Sequence, residues 1–113
     1  MTDLVFPFTV ELKPNDQSCR IDLPRVPFRQ KWMKLELTCE DKPSEDFWLT
    51  LYVNNASQNS CTALGVFTGV DRRFYYMVEI LAGVEAYFEA KPTSIIGNPV
   101  VVRFRLKAEV SQS

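Results

Sequence analysis

Apolar and polar residues alternate at period two along most of this chain, most regularly near its C-terminus. Within residues 99–110, Val100, Val102, Phe104, Leu106, Ala108 and Val110 share one parity, while Val101, Arg103, Arg105, Lys107 and Glu109 share the other. Successive side chains of a strand point to opposite sides, so this stretch predicts a β-strand with one dry and one wet face. Residues 4–12 alternate in the same way. Pro7 cannot donate to a ladder, which assigns that strand to an edge or a bulge. A turn composition at residues 13–18 leads to a short strand at residues 19–23, and Pro24 and Pro27 end it in an extended crossing.

The third strand, residues 31–40, is expected to turn Met33, Leu35, Leu37 and Cys39 inward and Trp32, Lys34, Glu36, Thr38 and Glu40 outward. The fourth, residues 47–53, sets Phe47, Leu49, Leu51 and Val53 against an outward row of Trp48, Thr50 and Tyr52. Residues 54–60 read as a long polar loop, and the glycosylation-like Asn55-Ala56-Ser57 inside it as loop chemistry. Residues 61–68 read as a weaker fifth strand.

Residues 74–90 fit either a helix or a pair of strands. Met, Leu, Glu and Ala favour a helix, yet Phe74, Tyr76, Val78, Ile80, Ala82, Val84, Ala86 and Phe88 keep one parity. A hairpin with the loop Leu81-Ala82-Gly83 pairs Ile80 with Val84, Val78 with Ala86 and Tyr76 with Phe88, with Gly83 supplying the left-handed residue. It also gathers Glu79, Glu85 and Glu89 on one polar face, so the hairpin is the preferred reading.

About eight strands at spacings of roughly 8–14 residues, with long connections between several of them, predict an all-β antiparallel sandwich with Greek-key links. An eight-strand jelly roll is the first choice, ahead of an immunoglobulin-like sandwich or a small barrel. A chain of 113 residues is expected to form a single domain, residues 1–113.

Composition narrows the chemistry. The chain has no histidine, so serine and cysteine nucleophiles lack their commonest base, and neither a nucleophile elbow nor a Gly-rich phosphate loop occurs. Glu79, Glu85 and Glu89 are the one carboxylate set on a common face that glycosidase chemistry could use, and a solvated sheet face is the simpler explanation. Glu40, Asp41, Glu45 and Asp46 form an acidic loop without calcium-loop spacing. Cys19, Cys39 and Cys61 lack metal-site spacing and read as buried free thiols. No enzymatic activity, cofactor or metal is expected.

Charge does the same for partners. A net charge of −1 offers no overall attraction to nucleic acid or to an anionic membrane. Arg20, Arg25, Arg29, Lys31 and Lys34 form a local basic stretch that, with neighbouring aromatics, suits a single-stranded nucleic-acid groove of the OB type, although solubilising an exposed face explains it as well. No apolar run approaches the ~20 residues of a membrane span, and the N-terminus does not read as a signal peptide, so a cytoplasmic or virion-associated protein is expected.

The remaining candidates are the outward aromatics Trp32, Trp48 and Tyr52 and the outward arginines Arg103 and Arg105. Such residues anchor protein interfaces, so the expected function is protein–protein association by a non-enzymatic structural protein, either self-assembling or decorating a larger particle. Aromatic faces also stack on sugars, which makes a carbohydrate-binding module the alternative reading. In architecture, a small, histidine-free, loop-rich all-β chain is similar to viral jelly-roll capsid and capsid-decoration proteins, and that resemblance implies oligomerisation and the clamping of neighbours.

Overall fold

The computed structural model describes residues 2–112. In chain order these form β1 (Thr2–Leu12), β2 (Cys19–Asp22), β3 (Gln30–Cys39), β4 (Phe47–Val53), β5 (Ala56–Thr62), the short helix α1 (Ala63–Phe67), β6 (Arg73–Tyr76), β7 (Ile80–Leu81), β8 (Ala86–Pro92) and β9 (Val100–Gln112). One sheet runs β1-β9-β3-β6, with β7 also pairing with β3; the other runs β2-β8-β4-β5. All pairings are antiparallel. With β6 and β7 counted as two parts of one interrupted strand, this is the strand order of a jelly roll, and the two sheets pack as a sandwich. The Greek-key expectation holds, and Pro7 does sit on an edge strand, opposite Arg105 of β9.

The alternation explains the core. Val10, Leu12, Leu35, Leu37, Val102, Phe104 and Leu106 of the first sheet face Phe47, Leu49, Leu51 and Phe88 of the second, all essentially buried. Three rings interlock across the layers: Phe8 stacks on Phe88 at 5.0 Å and on Phe104 at 5.4 Å between centroids. Phe67, carried by α1, meets Phe104 edge-on at 5.2 Å and closes one end of the sandwich. Each such pair contributes about 0.5–1.5 kcal/mol beyond the area it buries.

Four local expectations are corrected. Residues 54–60 are not a loop. Asn54 and Asn55 both have positive φ, 52° and 64°, and form a tight two-residue turn that matches strand twist, so the chain returns at once as β5. Residues 61–68 are not a strand beyond Thr62, because Ala63 and Phe67, four apart, reach the core from one face of α1.

Residues 74–90 are β rather than helical, but they form no hairpin. β6 and β7 pair with β3, whereas β8 pairs with β4 and β2 in the other sheet. The turn after Leu81 is present, with Val84 N donating to Leu81 O at 3.2 Å and Gly83 at φ 76°, and it carries the chain across the sandwich.

The fourth correction is in β3. Its register against β9 shifts by one residue between Met33 and Glu36, where Lys34 takes a positive φ of 50°. This β-bulge inverts the parity of everything before it. Trp32, expected outside, is 3% exposed and belongs to the core, while Met33, expected inside, is only half-buried.

Candidate functional site

The outer face of the second sheet holds the aromatic cluster. Strand β4 turns Trp48 and Tyr52 outward because Phe47, Leu49 and Leu51 are drawn inward, and Trp48 remains 46% exposed. The register sets Tyr52 opposite Tyr87 of β8, and Tyr87 opposite Asp22 of β2. The two tyrosine rings stack at 5.0 Å and 12°, and the Arg20 guanidinium lies 3.7 Å from the Tyr87 ring centroid. Arg20, Tyr87 and Tyr52 thus form one cation–aromatic stack across three strands. Arg20 is held there by Asp22 at 2.8 Å and Glu85 at 3.5 Å. Its own pKa rises further, first because Asp22 accepts its hydrogen bond, so its charge is fixed. Around the stack lie Glu89, Lys91, Thr50 and Ser60, with the Thr50 and Ser60 hydroxyls 2.7 Å apart.

Sequence reasoning placed Trp48 and Tyr52 on this face and missed Arg20 and Tyr87 as their companions. The parity of Tyr87 was visible; its adjacency to β4 was not, because that depends on strand order. Trp32 lies in the core and is no part of the face.

Arg103 and Arg105 lie on the opposite side of the molecule, on the outer face of the first sheet, so the five expected contact residues do not form one patch. Both arginines are already paired. Arg103 binds Asp41 in bidentate fashion, its Nη2 2.7 Å from Oδ1 and its Nε 3.0 Å from Oδ2, and its backbone N–H donates to the same carboxylate at 2.9 Å. Arg105 meets Glu40 at 2.6 Å. The Arg103 hydrogen bonds hold the Asp41 pKa down at about 2. Lys107 joins Asp3 across β9 and β1 at 3.4 Å, and Arg73 approaches Glu36 at 3.9 Å, which makes this face a ladder of solvent-exposed charge pairs.

The acidic groups do not converge. Glu79 pairs with Lys31 beside β3, whereas Glu85 pairs with Arg20 and Arg25 at the second sheet, and Glu89 stands opposite Arg20. In the acidic loop, Glu40 and Asp41 serve the arginines of β9, and Asp46 accepts from Leu64 N at 3.0 Å and Phe47 N at 3.1 Å, anchoring α1. The basic stretch is likewise distributed, Arg20 and Arg25 to Glu85, Lys31 to Glu79 and Lys34 to Glu109. All three cysteines are free thiols; Cys39 and Cys61 are buried and Cys19 is half-buried. Desolvation raises the Cys39 pKa to about 11 and the Cys61 pKa to about 12, so both stay protonated near neutrality.

No family model and no curated protein matches the chain. Among solved structures, it is similar to a chain in the acid-stable capsid of Helicobacter pylori bacteriophage KHP30, with a TM-score of 0.54 at 13% identity, covering 99% of this chain and 97% of that one. It also resembles about a fifth of the insecticidal delta-endotoxin Cry8Ea1 of Bacillus thuringiensis, at a TM-score of 0.44, 10% identity and coverage of 92% of this chain and 20% of that one. A third likeness, to the Drosophila NLP core, has a TM-score of 0.36 and 16% identity over 88% of this chain and 96% of that one. The capsid chain shares the fold end to end; the other two are too distant to argue from. Among the described residues, no helix is long and apolar enough to cross a membrane.

Proposed function

We propose that this chain is a non-enzymatic structural protein that acts by protein–protein association, its copies packing with one another in a capsid-like, virion-associated assembly. The observation that carries the reading is the likeness to a phage capsid chain along the length of both chains, 99% of this chain against 97% of that one. The outer face of the second sheet supplies the contact. Trp48 offers an open indole on the same face, four residues along β4 from the Tyr52 of the preassembled Arg20, Tyr87 and Tyr52 stack, and aromatic and arginine side chains held rigid before contact lose little entropy on binding.

The same aromatics support a carbohydrate-binding module as the second reading. It is the weaker of the two, because Tyr52 and Tyr87 spend a ring face on each other and Arg20 covers the next, which leaves Trp48 as the most exposed ring of the cluster. Trp48→Ala discriminates between them: the first reading expects weaker self-association with cooperative folding retained, and the second expects an unchanged oligomer with lost signal on a glycan array. A Trp48→Ala variant that associates like the wild type overturns the assignment of this face to assembly.

A further inference from the structure

We propose that β5 is an open edge that pairs antiparallel with β5 of a second copy, joining two four-stranded sheets into one continuous sheet about a twofold axis. The inference rests on the self-association reading above and adds where the copies join. A sandwich of this topology exposes four strand edges, and three of them carry the usual obstacles to pairing. β1 contains Pro7 together with Asp3 and Glu11; β2 has four residues, two of them the charged Arg20 and Asp22; β6 has four residues and begins with Arg73. β5 differs. Its seven residues, Ala56-Ser57-Gln58-Asn59-Ser60-Cys61-Thr62, contain neither proline nor charge.

On its inner side β5 pairs with β4; on its outer side no backbone group of residues 57–61 has a backbone partner outside its own sheet among the described residues, and Thr62 is the N-cap of α1. The side-chain bonds there are local: Gln58 Nε2 donates to Ala56 O, and the Ser60 hydroxyl meets Thr50 of the neighbouring strand. Beside this edge runs a groove of about 310 Å³ lined by Ser57, Gln58, Asn59, Tyr75 and Met77 among others, so residues 57–59 of the edge border open space. Met77 on its far wall is 76% exposed.

The occupant follows from charge. An uncharged edge meets its own copy without like-charge repulsion. Antiparallel pairing of identical strands is isologous, so it closes as a dimer and does not propagate through the same edge. It would also place the Trp48 and Tyr52 faces of two copies side by side on one extended sheet, because β4 is the next strand in. The main-chain ladder supplies the affinity, as in strand addition generally.

The test uses the full chain. Sedimentation equilibrium is run on the wild type, on Ser57→Lys/Ser60→Lys and on Ser57→Glu/Ser60→Glu, with circular dichroism and urea unfolding confirming that each variant is folded. Both positions are exposed, so folding is expected to survive. The wild type is expected to populate twice the 13.0 kDa chain mass, each variant alone to show a dissociation constant at least tenfold higher, and an equimolar mixture of the two variants to recover the dimer. A wild type that associates while both variants associate equally well overturns the β5 junction and leaves the association reading standing. Folded variants that are both monomeric and fail to recover on mixing also overturn it. A wild type that stays monomeric at all concentrations overturns both.

Discussion

Replacing Trp32 with alanine separates the observed fold from the simplest reading of its sequence. With strict alternation, Trp32 lies on the wet side of β3 and its removal costs no more than about 0.5 kcal/mol. With the bulge at Lys34 it is 3% exposed, and deleting a fully buried indole costs about 3–5 kcal/mol, the transfer term plus the cavity left behind. Against the roughly 5–15 kcal/mol that holds a domain together, this is a large fraction. Taking an m-value of about 2 kcal/mol/M, the urea midpoint followed by circular dichroism should fall by roughly 1.5–2.5 M. Trp48→Ala is the internal control: with 46% of that residue exposed, it should cost about 1 kcal/mol or less. Fluorescence gives a second readout, since Trp48→Phe leaves Trp32 as the sole indole, expected to emit in the blue and resist iodide quenching. Equal midpoints for the two alanine variants, or a readily quenched Trp32, would refute the placement of the bulge.

Trp32 also shows where sequence stops determining structure. A bulge adds one residue to one strand and costs the alternation nothing on either side, so Trp32-Met33-Lys34-Leu35 reads as an unbroken strand although its parity reverses midway. The layer architecture was legible because the apolar rows of β1, β4 and β9 are long and regular. Strand order was not: inward-facing residues of both sheets look alike, so the shared parity of Tyr76, Ile80, Ala86 and Phe88 fits a hairpin within one sheet and a crossing between two. β5 was hidden for a different reason. Its Ser, Gln and Asn residues carry almost no strand propensity, and the signal lay in the turn before it, where Asn54 and Asn55 tolerate left-handed backbone. Of the candidate site, Trp48 and Tyr52 followed from parity alone. The separation of Arg103 and Arg105 from them required knowing which sheet each strand joins.

Asn55→Gly should raise stability by a few tenths to about 1 kcal/mol in urea unfolding, because glycine adopts the φ of 64° without a Cβ penalty, whereas Asn55→Val should destabilise by about 1–2 kcal/mol. The Asp41 carboxyl titrates near pH 2 in the fold, below its ordinary 3.8, so its contribution is fully present above about pH 4 and is lost as pH falls through 2. Urea midpoints of wild type and Asp41→Asn should therefore differ at pH 6 and converge by pH 2; a constant gap would refute the Arg103 assignment. In thiol labelling, half-buried Cys19 should react first, and Cys39 and Cys61 only on unfolding.

The mass of the folded protein in solution, measured by light scattering on a size-exclusion column over a wide concentration range, tests the proposed assembly role most directly. Multiples of 13.0 kDa that grow with concentration and shrink in Trp48→Ala are expected. A single 13.0 kDa species at every concentration would contradict that role.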